Sequence, residues 1–181
     1  AATGTEMSTG CVWVNDTIDV PVKKSFNGDD LRPKVSSLNP EFTYSVNKFQ
    51  TGAGTCDIMS HVIESYFSNC EGAYLQARTA EAIMKTLVKY GPIAVNDPQN
   101  YEARANLMYS SSWGNNGLVV KGNLVSWSVH AMEHELSAYL GTTHGEGLAI
   151  LTPNWMRWVL RKDKSKIFRF VEFGINVFGV D

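Results

Sequence analysis

The four histidines of this 181-residue chain are spaced in a way that allows several of them to share one metal ion. His61 follows Asp57 by four positions, and His134 follows His130 by four. On an α-helix, side chains four residues apart lie on one face with Cβ atoms about 5–6 Å apart, within reach of a single ion. His144 precedes a glycine, where the backbone can turn sharply and direct the imidazole inward. The spacing therefore predicts one metal site on helices rather than scattered surface histidines.

The chemistry of these side chains indicates the kind of metal. Imidazole nitrogens combined with a carboxylate oxygen favour Zn²⁺ or Fe²⁺ over Ca²⁺ or Mg²⁺. A structural zinc site more often recruits cysteine, but Cys11, Cys56 and Cys70 have no C-x-x-C spacing. Three cysteines cannot all pair within one chain, which favours a reducing, cytoplasmic location. One carboxylate and three imidazoles, with a coordination position left for substrate, would form a catalytic site.

Other interpretations of the histidine region stay open. The segment from His130 to His134 fits the H-x-x-E-H pattern of inverted zinc peptidases, in which Glu133 would be the general base. Five-residue patterns of this kind occur by chance, and this one leaves the other candidate ligands unexplained. Taken alone, His134 fits a core histidine bonded to a backbone carbonyl nearly as well as it fits a catalytic residue. A noncatalytic metal-binding helical domain is a further alternative.

The composition is that of one globular domain, or of one domain with a fragment of another. Apolar residues make up 44% of the chain and charged residues 19%, which permits a sizeable buried core. The 16 basic and 18 acidic residues give a net charge of −2 with no basic stripe, so no nucleic-acid partner is expected. The longest apolar stretches are too short to span a bilayer, so no membrane association is expected.

The hydrophobic periodicity divides the chain after residue 43. Residues 1–43 contain the strand-like run Cys11–Val14 and a second short extended piece, which Arg32–Val35 leads into and Asn39–Glu41 closes. Together they indicate a small antiparallel β element. Residues 44–181 have helical periodicity, so the predicted fold is mainly α, a helical bundle behind a β remnant. The predicted helices are 54–67, 72–89, 98–112, 126–139, 145–160 and 164–173, the second of them ended by Gly91-Pro92.

Several short segments, spread along almost the whole chain, carry the motifs of one enzyme family. The chain opens with A-A-T-G-T-E-M, which is similar to the family segment A-A-T-G-S-E-M. Leu31–Lys34 and Asn39–Glu41 are similar to its L-R-P-K and D-P-E landmarks, with Asn39 in place of Asp. Residues 57–61 and 130–145 resemble its metal-binding motifs, including the fourteen-residue separation of the first and last histidine. By these motifs the chain resembles the iron-containing (group III) alcohol dehydrogenases, most closely their butanol-dehydrogenase-like branch.

The resemblance implies roles for the candidate residues. His134 would be a histidine of the substrate pocket that does not bind the metal, with a catalytic role in proton relay or substrate positioning. The implied metal ligands are Asp57, His61, His130 and His144. The ion, Fe²⁺ or Zn²⁺, would lower the pKa of a bound alcohol, much as a divalent ion lowers that of water from about 15.7 to about 7.

The resemblance also implies a nicotinamide cofactor. A hydride would pass between C4 of NAD(P) and a metal-bound primary alcohol or aldehyde, the reaction of an alcohol dehydrogenase or aldehyde reductase. The residues implied on the cofactor side of the cleft are Thr3, Val12 and Lys24. Lys23 is adjacent to Lys24, and this loop varies in length in the family.

The chain departs from the resembled family in its extent. The family has an N-terminal doubly wound α/β domain with a glycine-rich loop for the dinucleotide, and no G-x-G-x-x-G motif follows a strand in this sequence. We therefore expect a fragment that is inactive alone: residues 1–43 would end the nucleotide-binding domain, and 44–181 would be a truncated metal-binding domain. Missing helices would expose apolar surface, which favours a homo-oligomer.

Overall fold

Six α-helices and one β-hairpin are the main elements of the part of the chain that the structure, a computed structural model, describes: residues 3–68 and 72–181. The elements are β1 (Gly10–Asn15), β2 (Val22–Asn27), α1 (Lys48–Tyr66), α2 (Tyr74–Asn96), α3 (Tyr101–Asn115), α4 (Ser128–Leu140), α5 (His144–Lys162) and α6 (Ile167–Phe173). The predicted mainly α fold with a small β element is confirmed. Cys70 and the first two residues of the A-A-T-G-T-E-M segment lie outside the described residues.

Asparagine caps fix where two of the long helices begin. The Asn47 side chain accepts a hydrogen bond from the Gln50 amide at 2.8 Å. Asn100 accepts one from the Ala103 amide at 3.0 Å. Each bond satisfies an amide donor that the first turn of a helix leaves unpaired, a contribution of about 1 kcal/mol. As a result, α1 begins earlier than the sequence predicts and α3 begins later.

The second helix continues through a pair of residues that predicts its end. Gly91 and Pro92 lie inside α2, which runs on to Asn96, so the predicted stop is wrong. The proline removes one backbone hydrogen bond, but the turn that follows is held by packing, because Ala94 is fully buried. Gly91 allows this packing, since a Cβ there would lie only 2.8 Å from Cγ2 of Thr55 on α1. Tertiary contact therefore outweighs the local preference.

The second strand lies where the sequence predicts none. β2 is the polar segment VKKSFN, which pairs antiparallel with β1 and places Lys24 opposite Trp13. The second extended piece, predicted between Arg32 and Asn39, consists of bends and irregular backbone outside the sheet, so its assignment to the β element is wrong. Neither strand has a fully buried face, and the alternating apolar pattern that reveals a strand depends on one. The sequence pattern therefore predicts β1 of the hairpin but not β2.

The helical core is built around α1, which packs against α2, α3 and α5. Val62 of α1 and Met84 of α2 are fully buried, and Leu87 is 1% exposed. At the end of α1 the Phe67 ring packs on Phe170 of α6, with centroids 4.5 Å apart. Burial of this kind contributes roughly 1.5–3 kcal/mol per large apolar side chain. It fixes α1 as the rigid element against which the other helices are placed.

The sheet ends at Asn27 and α1 begins at Lys48, on either side of the predicted boundary between 43 and 44. The division into two domains at that point stays a prediction. Within the described ranges, no helix combines the length and the apolar content needed to cross a bilayer.

Candidate metal centre

The first part of the candidate site lies on one face of α1. Asp57 and His61 are four residues apart, and His61 Nδ1 lies 3.4 Å from Asp57 Oδ1. Glu64 follows His61 by three positions, so it shares that face. All three side chains are largely buried, with exposed fractions of 9%, 14% and 2% in chain order. α1 thus supplies three ionisable groups to the space where α4 and α5 approach it.

α4 brings His130 to Asp57 from its first turn. Trp127 immediately precedes the helix with φ of 51°, a left-handed conformation that a bulky residue rarely adopts. The Trp127 ring contacts the rings of His61 and His130, with centroid distances of 6.0 and 5.3 Å. His130 Nε2 lies 3.8 Å from Asp57 Oδ1. The backbone strain therefore lies directly beside the candidate ligands.

α5 brings His144 to the same oxygen from its first residue. The next residue is Gly145, and a Cβ there would lie 1.9 Å from the carbonyl oxygen of Ala53 on α1. Only glycine permits such a close helix contact. His144 Nε2 lies 3.7 Å from Asp57 Oδ1. Gly145 therefore serves the site by letting two helices touch, and not by forming the sharp turn that the sequence suggests.

Asp57 Oδ1 is the point on which the three imidazoles converge. In the described part of the chain, Asp57 Oδ1, His61 Nδ1 and His130 Nε2 are buried atoms without a hydrogen-bond partner, which is costly unless another group satisfies them. Two ligands of a tetrahedral ion lie about 3.3 Å apart, given bonds of about 2.0–2.1 Å. The observed separations of 3.4 to 3.8 Å are close to this value. The residues present therefore fit a divalent ion of the Zn²⁺ or Fe²⁺ type.

His61 is the loosest member of this cluster. Asp57, His130 and His144 each offer one donor atom, and these atoms all lie within 4.8 Å of one another. His61 is outside that tight group, although its ring centroid lies 4.5 Å from that of His130. The predicted ligand set is thus brought together, with three members preorganised and the fourth in contact with them.

The charges of the cluster shift the pKa values of its members in different directions. Burial by itself would raise the pKa of Asp57, but the neighbouring His130, His61 and His144 lower it overall. Burial lowers the pKa of His61 to about 4, despite the carboxylate beside it. Burial also opposes a charge on His130, yet the carboxylates of Asp57 and Glu64 raise its pKa to about 9. An ionised Asp57 and a neutral His61 are the forms that bind metal.

A buried carboxylate stands behind each of two candidate ligands. Glu64 Oε2 contacts His130 Nδ1, and Glu133 Oε2 contacts His144 Nδ1. In metal sites a carboxylate on the second ring nitrogen orients the imidazole and leaves the first nitrogen free for the ion. Glu64 was not among the predicted residues, although its spacing after Asp57 and His61 places it on the ligand face of α1.

A second group of possible ligands, Glu133, His134 and His144, overlaps the first. This group already holds a cation of the chain itself. Nζ of Lys23 on β2 lies 3.3 Å from Glu133 Oε2 and 3.4 Å from His144 Nδ1, and it donates to Ser137 Oγ at 2.8 Å. Burial would raise the pKa of Glu133, but His144 and Lys23 lower it. The lysine ammonium therefore supplies the positive charge that a metal ion would supply in this group.

His134 lies at the edge of the first group. Its ring centroid is 5.5 Å from that of His144, and it is not a member of the group around Asp57. Burial and the charge of Lys23 lower the pKa of His134 to about 4, so the imidazole is neutral near pH 7. Glu133 is fully buried and its Oε2 contacts Lys23 and His144, so the peptidase interpretation has no solvent-accessible general base.

The predicted cofactor-side residues differ in their distance from this centre. The Thr3 hydroxyl is among the groups that lower the pKa of Asp57, so it lies beside the candidate ligands. Val12 on β1 is 51% exposed. Lys24 is exposed, whereas Lys23 next to it reaches the histidines. The cofactor-binding role of each residue stays a prediction.

Comparison with known proteins identifies the family. The family model for the C-terminal part of the Fe-containing alcohol dehydrogenases matches residues 51–173, from the first turn of α1 to the end of α6. The chain belongs to the iron-containing alcohol dehydrogenase family. The resemblance inferred from the motifs is thereby confirmed.

Individual family members support the same assignment. The chain is 55% identical to NADH-dependent butanol dehydrogenase B of Clostridium acetobutylicum over all 181 residues, which are 45% of that protein. It is 34% identical to the NADPH-dependent aldehyde reductase YqhD of Escherichia coli, covering 97% of this chain and 45% of that one. The crystal structure of NADH-dependent butanol dehydrogenase A from Thermotoga maritima superposes with a TM-score of 0.92, at 35% identity, over 100% of this chain and 44% of that chain. The chain thus spans about half the length of these relatives.

Proposed function

We propose that this chain carries the metal centre of an NAD(P)-dependent alcohol dehydrogenase that interconverts small primary alcohols and aldehydes. The observation that carries the proposal is the convergence of three imidazoles on the buried, unpaired Oδ1 of Asp57. The substrate class and the nicotinamide cofactor are taken from the butanol dehydrogenases and the aldehyde reductase to which the chain is similar.

Each residue of the cluster has a definite part in this proposal. The proposed ligands are Asp57, His61, His130 and His144. A bound Fe²⁺ or Zn²⁺ supplies Lewis-acid chemistry, which lowers the pKa of an alcohol and polarises an aldehyde carbonyl. Because Asp57 is the one carboxylate among the ligands, the proposed site keeps a net positive charge when an ion binds, which favours a negatively charged oxygen of the substrate.

His134 is proposed to position the substrate or relay its proton. Its low pKa, about 4, keeps the ring neutral, so it can donate one hydrogen bond and accept another at neutral pH. In a full-length enzyme, His134→Ala should lower turnover and leave the metal bound. Loss of the metal in that variant would refute this role.

The remaining proposals concern the setting of the site. Thr3, Val12 and Lys24 are proposed on the cofactor side, with residues 1–43 belonging to the nucleotide-binding domain and 44–181 to the metal-binding domain. A homo-oligomer is supported by large exposed apolar side chains near the C-terminal helices, among them Trp158, Phe168 and Val171, exposed by 52–59%. A cytoplasmic location is supported by the free thiols of Cys11 and Cys56.

The first test is the metal content of the purified chain and of Asp57→Ala and His144→Ala, measured by plasma emission spectrometry. We expect near-stoichiometric Fe or Zn in the parent chain and its loss in both variants. Asp19→Ala, which replaces an exposed aspartate outside the cluster, is the matched control and should keep its metal. Absence of metal from the parent chain after anaerobic reconstitution with either ion would refute the proposed centre.

A further inference from the structure

A buried glutamate, Glu64, holds the first turn of α4 and one candidate metal ligand at the same time. Its side chain is 2% exposed and extends from α1 to the first turn of α4. Oε1 accepts a hydrogen bond from the Val129 amide at 2.8 Å, and Oε2 accepts one from the His130 amide at 3.2 Å. Oε2 also contacts Nδ1 of the His130 ring. One carboxylate therefore fixes both the backbone and the imidazole of the same residue.

We propose that Glu64 is a positioning residue that sets the tautomer and the direction of His130, so that its Nε2 is the nitrogen presented to the metal. This inference rests on the proposed metal centre. It adds to that centre a residue outside the ligand set, and it assigns a state to one atom, a proton on Nδ1 of His130.

The hydrogen-bonding capacity of a carboxylate gives the physical reason. An ionised carboxylate only accepts hydrogen bonds, so the ring nitrogen facing it must carry the proton. With Nδ1 protonated and engaged, a neutral His130 has its lone pair on Nε2, the atom 3.8 Å from Asp57 Oδ1. The opposite tautomer would point a proton at the position where the ion is expected.

The first turn of α4 depends on Glu64 for hydrogen bonds that the residue preceding the helix does not supply. The residue before the helix, Trp127, has no side-chain cap for the helix amides, and such amides cost free energy when buried without a partner. Glu64 satisfies two of them from a different helix. Movement of this carboxylate would therefore shift the backbone of His130 as well as its ring.

Glu133, the carboxylate behind His144, differs in its partners. Its Oε2 is shared between His144 Nδ1 and the ammonium of Lys23. Among the described residues, the one ion pair of Glu64 is with His130. Glu64 is thus dedicated to a single ligand, which makes its effect on metal binding the cleaner one to measure.

The test compares Glu64→Gln with the parent chain. Glutamine has nearly the same shape but offers one oxygen and one NH₂ group. If its oxygen keeps the Val129 amide, its NH₂ group faces His130 Nδ1, which must then accept, and the ring proton moves to Nε2. We expect the zinc affinity, measured by competition with a chromophoric chelator, to fall about 10–100-fold. The ligand-field spectrum of the Co²⁺-loaded chain should change as well.

Glu81→Gln is the matched control. Glu81 is another buried glutamate, but its Oε1 accepts hydrogen bonds from Tyr66 Oη and Arg78, both at 2.6 Å, and not from a histidine. We expect this variant to lose stability and to keep its zinc affinity within about twofold, because no ligand is moved. Circular dichroism on both variants separates loss of fold from loss of metal.

Three outcomes decide the matter. A folded Glu64→Gln chain with unchanged zinc affinity would overturn the role of Glu64 and leave the metal centre standing. A parent chain that binds no zinc would overturn the metal centre itself. A measurement independent of the variant is the ¹H–¹⁵N correlation spectrum of the zinc-loaded parent chain, where the proton of His130 should lie on Nδ1; a proton on Nε2 would refute the inference even if the variant did not fold.

Discussion

Two groups of ionisable residues share His144 but differ in the cation that they contain. The Asp57 group consists of Asp57, His130 and His144, and the Glu133 group consists of Glu133, His134 and His144. The Asp57 group and the Glu133 group each combine one buried carboxylate with imidazole nitrogens. The second also contains the ammonium of Lys23, within 3.4 Å of both Glu133 and His144. In the described residues no lysine or arginine pairs with Asp57 or His130, whose Oδ1 and Nε2 have no hydrogen-bond partner; of the first group Lys23 reaches only His144, the residue that the two groups share.

This difference is our reason for proposing a metal site in the first group and an internal salt bridge in the second. Spacing and residue type alone would nominate both groups, because each places imidazoles and a carboxylate within reach of one ion. A buried carboxylate needs a cation in either case. In the second group the chain supplies that cation from β2, and in the first we propose that a metal ion supplies it. The pairing of Lys23 with Glu133 therefore supports a metal site around Asp57 and not around Glu133.

The largest expected effect comes from Gly145→Ala, which removes the helix contact that brings His144 to the Asp57 group. The added Cβ would lie 1.9 Å from Ala53 O, which is backbone and cannot rotate away. We expect the free energy of unfolding to fall by about 3 kcal/mol or more and zinc binding to be lost. Chemical denaturation and chelator competition measure the two effects.

Gly52→Ala is the control for that variant. No atom lies within 4 Å of a Cβ built on Gly52 in α1, so alanine should be neutral or stabilise the helix by about 0.5–1 kcal/mol. If Gly145→Ala unfolds at the same denaturant concentration as the parent chain, the close contact between Gly145 and Ala53 does not stabilise the fold.

Removing the lysine should convert the second group into a metal site. Lys23→Gln takes the cation away from Glu133 and leaves Glu133, His134 and His144 without it. We expect this variant to bind up to one additional equivalent of zinc through Glu133 and His134. This ion should bind more weakly than the first, because a neutral His144 has one lone pair and gives it to the ion of the Asp57 group. Isothermal titration calorimetry measures the stoichiometry. Lys24→Gln, which changes the exposed neighbour, should bind as the parent chain does. An unchanged stoichiometry in Lys23→Gln would break the comparison between the groups.

The metal-free chain should be most stable near pH 6.5. The pKa of His130 is raised to about 9, so the stability it contributes is present below pH 6.5 and lost as pH rises toward 9. The pKa values of His61 and His134 are lowered to about 4, so stability is lost as pH falls from 6.5 toward 4. Each group changes the free energy of unfolding by at most about 1.4 kcal/mol per pH unit.

This pH profile is measured by urea unfolding at pH 5, 6.5 and 8.5 in the presence of a chelator. His61→Gln removes one of the groups responsible on the acid side and should flatten the loss between pH 6.5 and 5. An unchanged acid slope in that variant would show that His61 is protonated in the folded chain at pH 5.

The smallest expected effect belongs to His134→Gln. Because His134 lies outside the Asp57 group, zinc affinity should change less than about twofold, in contrast to the loss expected for Asp57→Ala. The measurement is the same chelator competition. A drop of tenfold or more would make His134 a ligand and merge the two groups into one site.

The parts of this site that could be predicted from sequence are those set by one helix. Asp57 with His61, and His130 with His134, are four residues apart, and helix geometry alone places each pair on one face. Glu64 lay on the same face and could have been found by extending that argument by three residues. Its importance depends on α4 docking against it, which no local pattern shows.

The parts that could not be predicted depend on contacts between distant segments. Lys23 reaches Glu133 across 110 positions of sequence, from a strand too polar to be recognised. Gly145 was expected to make a turn and instead permits a contact with Ala53. The helix through Pro92 follows the same rule, since packing against α1 overrides the local signal. Such features depend on which distant residues are packed together in the folded chain, and short sequence patterns do not contain that information.

The origin of the proposed ligands in three separate helices has a consequence for how the chain unfolds. An ion bound to Asp57 and His144 would act as a reversible cross-link that closes the long segment between α1 and α5. Mass action at a ligand concentration of about a thousand times Kd adds roughly 4 kcal/mol to the free energy of unfolding. The departure of α5 would then require the ion to dissociate first, so that the slowest step of opening is set by coordination chemistry and not by the packing of side chains.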